Sequence, residues 1–354
     1  MLDLEFYMQF DKVLEEIKRG VLRSKLEVFE ALERKRSVDP IIYNIETTNR
    51  CNMRCAMCPR TTMMSRKIED IDMGLFKDIV SQIQPHAASI LKRWESYCET
   101  KYGIREVDSP SENHFFLYII SKVIQLHGYG DPLLDRHMAE YVRLLYDAGF
   151  STYFSCNPAN IDLLATYKMF DAGLSYIKYS IESVSDEENR KIRGKMRSFS
   201  DSYHDILKVL DYKQRHSLPV TIVITMLNLN RKNQKEEFAK LREAFQDLDV
   251  YLYLKSEDCQ WYRNEYHANE SIHWSEPCKH PWMTMTIKSN GEAASCMEDY
   301  NNEIILGDSK TQSLKEIWNG NEYREFRKQH LDPSTTLRCN HRCDMELIGE
   351  FINR

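Results

Sequence analysis

The chain has 354 residues, with 48 basic against 54 acidic side chains and a formal charge of −6. Apolar residues make up 42% and only 12 residues are Gly and 10 Pro, which excludes a disordered, collagen-like or low-complexity chain. The mildly acidic balance argues against nucleic acid or an anionic membrane surface as the main partner.

The first residues, Met1-Leu2-Asp3-Leu4-Glu5, carry no cationic segment followed by an apolar run, so no secretory signal is expected. The uncharged apolar stretches at 115–120 and 220–229 are too short to span a bilayer. The expectation is a cytoplasmic protein with no membrane partner. Ten cysteines in such a chain point to metal or cofactor ligands and buried thiols rather than a disulfide framework.

Residues 1–39 read as a helical extension, because Leu14, Ile17, Val21, Leu22, Leu26, Phe29 and Leu32 recur at helical spacing. From 40 to 257 strand and helix signals alternate. Strands are expected at 41–45, 122–127, 152–155, 176–181, 220–226 and 250–254, with helices at 73–83, 136–148, 161–172, 200–215 and 235–248. This is an α/β pattern of parallel strands with crossover helices. About six units are too few for a closed eight-fold barrel, so a partial barrel or open curved sheet is expected. The stretch 84–116 is long for a link and reads as an insert, either a lid or an interface. From 258 to 354 a small cysteine-bearing domain is expected, with a hairpin at 282–296 turning at Ser289-Asn290-Gly291 and a helix at 314–330.

Directly after the first strand comes Cys51-Asn52-Met53-Arg54-Cys55-Ala56-Met57-Cys58. Short spacings let one loop wrap a single inorganic centre, and thiolates hold iron–sulfur clusters or zinc. Three local thiolates leave one metal position open to a small molecule. The alternative is a zinc loop with a distant fourth ligand such as His280 or His341. The loop leaves a strand end of an α/β domain, where ligand sites lie.

The segment Thr48-Asn49-Arg50-Cys51 through Cys58 resembles the signature loop of the radical S-adenosylmethionine (radical SAM) superfamily. The resemblance implies a partial (β/α)6 barrel. It also implies a 4Fe–4S cluster on Cys51, Cys55 and Cys58, whose open iron binds S-adenosylmethionine, cleaved on reduction to a 5′-deoxyadenosyl radical. His127-Gly128-Tyr129-Gly130-Asp131-Pro132 is similar to the family's Gly-Gly-Glu-Pro turn, with Asp in place of Glu; by itself it is a Gly/Pro turn. By the same resemblance Gly128, Tyr129, Gly130, Asp131, Ser155, Asn157, Ser180, Arg193 and Asn228 face the cofactor, although each strand-end polar residue also suits a local cap.

Cys278 and Cys296 flank the hairpin, with Gly291 between them, and Cys339 and Cys343 follow near the end. Hairpin pairing is expected to bring the first two thiols together, and four thiolates saturate an iron–sulfur cluster or a zinc ion. The pattern resembles the SPASM/twitch extension of radical SAM enzymes. Four cysteines rather than the seven of the full form imply one auxiliary 4Fe–4S cluster with no open iron.

A saturated auxiliary cluster suits the removal of a second electron from a substrate radical. The function expected from this resemblance is a radical SAM oxidoreductase acting on a hydroxylated or amino-sugar-like small molecule. A one-electron reductant such as flavodoxin or ferredoxin is the expected partner. Glu257, Asp258 and His127 are the candidate bases. Epimerisation with Cys259 as hydrogen-atom donor and peptide modification are the enzymatic alternatives, and a zinc-stabilised binding protein is the non-catalytic one. Cys98 and Cys156 read as inert buried thiols.

Overall fold

The structure, a computed structural model, describes residues 1–194, 197–256, 278–294, 296–332, 335 and 337. Its strands are β1 (Ile42–Ile45), β2 (Ile124–Gln125), β3 (Thr152–Cys156), β4 (Tyr176–Ser180), β5 (Thr221–Leu227), β6 (Tyr251–Lys255), β7 (Met285–Ile287), β8 (Glu292–Ala294) and β9 (Ile305–Asp308). The helices up to the start of β3 are α1 (Leu4–Lys18), α2 (Lys25–Glu33), α3 (Met73–Ser81), α4 (Ala88–Tyr102), α5 (Glu112–Phe115) and α6 (Met138–Asp147). Then come α7 (Leu163–Asp171), α8 (Asp186–Arg193), α9 (Phe199–Arg215), α10 (Gln234–Ala244), α11 (His280–Met283), α12 (Leu314–Asn319) and α13 (Asn321–His330).

All nine strands share one open sheet in the order β6-β5-β4-β3-β2-β1-β7-β8-β9. β1 to β6 are parallel, as the strand–helix alternation predicts, and β7 also runs parallel to β1. Only β7/β8 and β8/β9 are antiparallel. The β7–β8 hairpin thus extends the main sheet.

Strands covered on both faces read as nearly continuous apolar runs, and β5 does so: Ile222, Val223, Ile224 and Met226 are all buried. Ile222, Ile224 and Met226 join one core with Ile177 and Tyr179 of β4 and with Ile206 and Val209 of α9. Val223 faces the other way, into a cluster with Tyr153, Tyr253, Phe115, Ile119, Ile120 and Val123. A π-helical turn at Phe116–Ile120 carries part of this cluster. It lies on the sheet face opposite the main core, beside Val123 and Tyr153 near the beginnings of β2 and β3.

The 1–39 extension is two helices, not one. Ser24 and Glu27 form a capping box that starts α2 anew, each accepting the other's backbone N–H. The predicted helix at 314–330 is likewise divided at Gly320, which has extended backbone as the N-cap of α13. The 84–116 insert supplies α4, which packs on α1. Trp94 is fully buried with Phe6, Tyr7, Phe10 and Trp282, its ring edge-on to Tyr7 at 5.0 Å, and its Nε1 donates to Leu117 O at 2.7 Å. Arg93 donates twice to Glu5, both at 2.8 Å. Insert and extension therefore make one helical subcore. Among the described residues no helix is long and apolar enough to cross a membrane.

Replacing Trp94 with Ala removes the anchor of that subcore. The variant is expected to lose about 3–5 kcal/mol of unfolding free energy, measured by urea titration followed by far-ultraviolet circular dichroism.

Candidate functional site

The first cysteine of the loop, Cys51, lies six residues after the end of β1, and the loop is tied down on every side. Asn49 Nδ2 donates to Lys67 O (2.7 Å) and its Oδ1 accepts Glu69 N (2.8 Å), so one amide side chain holds the returning strand of the loop. Thr48 Oγ1 donates to Asp70, and Arg60 Nε reaches Asn49 O at 3.0 Å. At the other side Arg54 N and Ala56 N donate to the carbonyls of Arg193 and Ile192, at 3.1 and 2.8 Å. The carboxyl end of α8 is thereby clamped onto the loop between Cys51 and Cys58.

The three thiols lie in one another's electrostatic field. Burial pushes Cys51 up, and it pushes Cys58 up to about 11, with Cys55 and Cys51 adding to the rise. Cys51 Sγ accepts Met53 N at 3.4 Å, and Cys55 Sγ accepts Arg193 Nη1 at 3.4 Å. Three thiols grouped on one short loop are the donor set that iron–sulfur clusters take as thiolates. Among the described residues no three Cys, His, Asp or Glu side chains are drawn together closely enough for a single ion. His280 is no fourth zinc ligand for the loop. Its ring lies edge-on to Tyr43 at 5.3 Å, and burial lowers it to about 4, at the opposite end of β1.

The turn after β2 meets this loop at van der Waals limits. A Cβ on Gly130 would stand 2.2 Å from Thr48 O, and one on Gly128 would stand 2.2 Å from Glu46 Oε2. Only glycine admits that approach. Asp131 N donates to Arg50 O at 2.8 Å, closing the contact. Asp131 is buried, which raises its carboxyl, while bonds from Asn160 Nδ2 (2.8 Å), Leu133 N (3.1 Å) and Asn157 N (3.2 Å) oppose the rise.

Glu46, one residue past β1, belongs to no spacing motif in the sequence. Its carboxylate accepts Arg66 Nη1 and Nη2 (2.7 and 2.8 Å), Tyr129 N (3.1 Å), Ser289 N (3.3 Å) and Ser289 Oγ (3.0 Å). Burial alone would raise a carboxyl; here Arg66, then Lys288 and the Tyr129 N–H, outweigh it and Glu46 falls to about 2. Tyr129 OH in turn donates to Glu298 O and Oε2, both at 3.2 Å, and Glu298 N donates to Cys296 Sγ at 3.3 Å. The turn beside the first cysteine loop thus touches the segment that carries Cys296.

The remaining candidates divide. Ser155 and Ser180 sit side by side at the ends of β3 and β4, Oγ to Oγ 3.3 Å, near Asn157. Arg193 lies on Cys55 and pairs with buried Glu182. Asn228 is turned into its own loop, its Oδ1 accepting Asn230 N at 3.1 Å. His127 is half-buried beside Tyr153, edge-on at 5.2 Å, and desolvation with the nearby Lys178 lowers it to about 3. Cys156 packs in the main core with its thiol driven up by burial, and Cys98 is buried with Trp94. Glu257, Asp258, Cys259, Cys339, His341 and Cys343 lie outside the described residues.

Cys278 and Cys296 stand on either side of the β7–β8 hairpin. The antiparallel pairing ends at Thr286 and Ala294, and α11 intervenes before Cys278. Cys278 is next to Lys279, whose Nζ stands 3.8 Å over the Tyr7 ring, whereas Cys296 keeps company with Glu298 and Lys288.

An open, mostly parallel sheet whose first strand leads into a loop of one buried and two half-buried thiols is the architecture of an iron–sulfur enzyme of the partial-barrel class. The Radical SAM superfamily model matches residues 45–242, and the SPASM iron–sulfur cluster-binding domain model matches 278–344. The chain belongs to the radical SAM superfamily. The first domain implies a 4Fe–4S cluster with S-adenosylmethionine and the second implies auxiliary iron–sulfur clusters. Among solved structures, the chain is similar in fold to a tagged form of anSMEcpe with bound AdoMet, at 12% identity and TM-score 0.51, covering 88% of this chain and 84% of that one. Streptococcus suis SuiB bound to S-adenosylmethionine matches at 13% identity and TM-score 0.46, covering 94% and 82%. BtrN in complex with AdoMet and 2-DOIA matches at 15% identity and TM-score 0.44, covering 82% and 87%. None of the curated proteins matches the chain.

The depressed Glu46 carboxyl has a pH signature. Its contribution to stability is complete above the ordinary value of 4.5 and is lost as pH falls toward about 2. Urea midpoints measured through that window should fall more steeply for the parent than for Glu46→Gln, which lacks the titrating group.

Proposed function

We propose that the chain is a radical SAM oxidoreductase that oxidises a hydroxylated or amino-sugar-like small molecule, with an auxiliary cluster taking the second electron. Held by Cys51, Cys55 and Cys58, the 4Fe–4S cluster with S-adenosylmethionine supplies a 5′-deoxyadenosyl radical that removes a substrate hydrogen. The observation that carries the oxidative reading is the Tyr129–Glu298 contact, because it joins the turn beside the first cysteine loop to the Cys296 segment. The helical residues 1–39 favour a small molecule over a peptide: α1 and α2 are built into the core with α4 and form no separate docking module.

In this reading residues 40–257 hold the radical chemistry and 258–354 the auxiliary centre. Gly128 and Gly130 let the backbone of the turn approach the amino-acid end of S-adenosylmethionine. Asp131, Ser155, Asn157 and Ser180 line the carboxyl ends of β2 to β4 beside it. His127 stays neutral at working pH, so it accepts a hydrogen bond from a substrate hydroxyl but is too weak a base to keep its proton. Glu257 and Asp258 are the proposed proton acceptors, and Cys259 is the donor thiol only in the epimerase alternative. A flavodoxin- or ferredoxin-type reductant and a cytoplasmic setting complete the proposal.

Anaerobically reconstituted, dithionite-reduced protein is expected to cleave S-adenosylmethionine to 5′-deoxyadenosine, and Cys55→Ala should abolish this. With a panel of aminocyclitols and amino sugars, one substrate should yield a ketone in step with 5′-deoxyadenosine. Cys296→Ala should keep cleavage but lose ketone; ketone at the parental rate from that variant would refute the acceptor role, and an epimer instead of a ketone would favour the redox-neutral alternative.

His127→Gln keeps a hydrogen-bond acceptor. It is expected to raise KM severalfold while leaving the pH–rate profile between about pH 5 and 8 unchanged, checked by steady-state kinetics across that range.

A further inference from the structure

Arg193 occupies a place that a cofactor-binding role does not explain. Its guanidinium is enclosed, and Nη1 donates to Cys55 Sγ at 3.4 Å while Nη2 donates to the buried carboxylate of Glu182. Glu182 is itself fixed: Oε2 accepts Leu227 N at 2.8 Å, at the end of β5, and its carbonyl accepts Arg231 Nη2 at 2.6 Å. The backbone carbonyls of Arg193 and Ile192 hold Arg54 N and Ala56 N, the two amides that flank Cys55. One end of α8 therefore grips Cys55 through both main chain and side chain.

We propose that Arg193, oriented by Glu182, is a positioning residue that raises the reduction potential of the cluster at the Cys51–Cys58 loop by donating to the Cys55 thiolate. A hydrogen bond and a positive charge at a ligating sulfur withdraw electron density, and the reduced cluster carries one more negative charge than the oxidised one. Both effects favour the reduced form. Glu182 fixes the guanidinium in place and tempers its charge. The inference rests on Cys55 being a cluster ligand.

The test is a potentiometric titration of the reconstituted protein without S-adenosylmethionine, monitored by the reduced cluster's paramagnetic resonance signal. The auxiliary cysteines are replaced by Ala in every form, so that one cluster is read. Arg193→Gln is expected to shift the reduction equilibrium toward the oxidised form by about tenfold or more, about 59 mV for one electron. Glu182→Gln should shift it the opposite way, and Arg193→Lys, which keeps the charge, should recover most of the parental value. S-adenosylmethionine affinity is measured on the same proteins by equilibrium dialysis. An unchanged potential in Arg193→Gln, or weakened S-adenosylmethionine binding with the potential unmoved, overturns the proposal. If Arg193→Gln takes up no iron, the sign of the Glu182→Gln shift decides. A Cys55→Ala protein that keeps the same signal refutes the ligand assignment instead, and so separates the two failures.

Discussion

The Glu46 carboxylate is the constraint on which the site depends. Its side chain is fully buried and that of Arg66 nearly so, at 0% and 7% exposure. Taking both charges out of water costs several kcal/mol per ion, and the arrangement persists because two guanidinium, two amide and one hydroxyl donor satisfy the carboxylate. Those donors come from three separated places: the loop after the cysteines, the Gly128–Gly130 turn and the β7–β8 connection. Losing one partner of such a pair costs about 3–5 kcal/mol, so this single group ties the thiol loop, the glycine turn and the hairpin into one rigid corner.

The rest of the architecture points the chemistry toward that corner. Aromatic and aliphatic side chains from 115–123 stop up the inside of the sheet at the strand beginnings, and the N-terminal helices pack with the α4 insert at the same end. Polar side chains of the inner face, among them His127, Ser155, Lys178 and Ser180, lie from the middle of β2 to β4 to just beyond their carboxyl ends. Lys178 stands between Phe115 and Tyr153 rings, at 5.9 and 5.8 Å, at the boundary between the greasy plug and the polar opening. The clamp of α8 on Arg54 and Ala56 and the close fit of Gly130 under Thr48 then hold the thiols at that opening.

Much of this was legible in the chain. Strand positions, the parallel order and the chemistry of Cys51, Cys55 and Cys58 follow from local pattern, since apolar periodicity and short cysteine spacing are carried by neighbouring residues. The break before α2 was also locally encoded, in the Ser24–Glu27 box, although the apolar spacing runs straight through it. The Glu46 cluster was not legible, because its partners lie 20, 83 and 243 residues away and no spacing joins them. The same holds for Glu182 beneath Arg193, and for the insert, whose Trp94 finds its place only against α1. Parallel pairing of β7 with β1 was hidden for a further reason: a hairpin signature predicts the partner across its turn but not the strand that its free edge will meet.

That last pairing bears on how the polypeptide can be divided. β1 sits in the interior of the sheet only because β7 covers one side of it, through register pairs Ile42–Met285, Asn44–Thr286 and Ile45–Ile287. A fragment cut after β6 would expose a row of unpaired backbone groups on β1, together with the flat apolar flank behind it, which is a template for intermolecular strand addition. The radical-generating half is thus not a self-sufficient piece to which a cluster-bearing tail was appended; the tail supplies the strand that keeps the other half from sticking to itself.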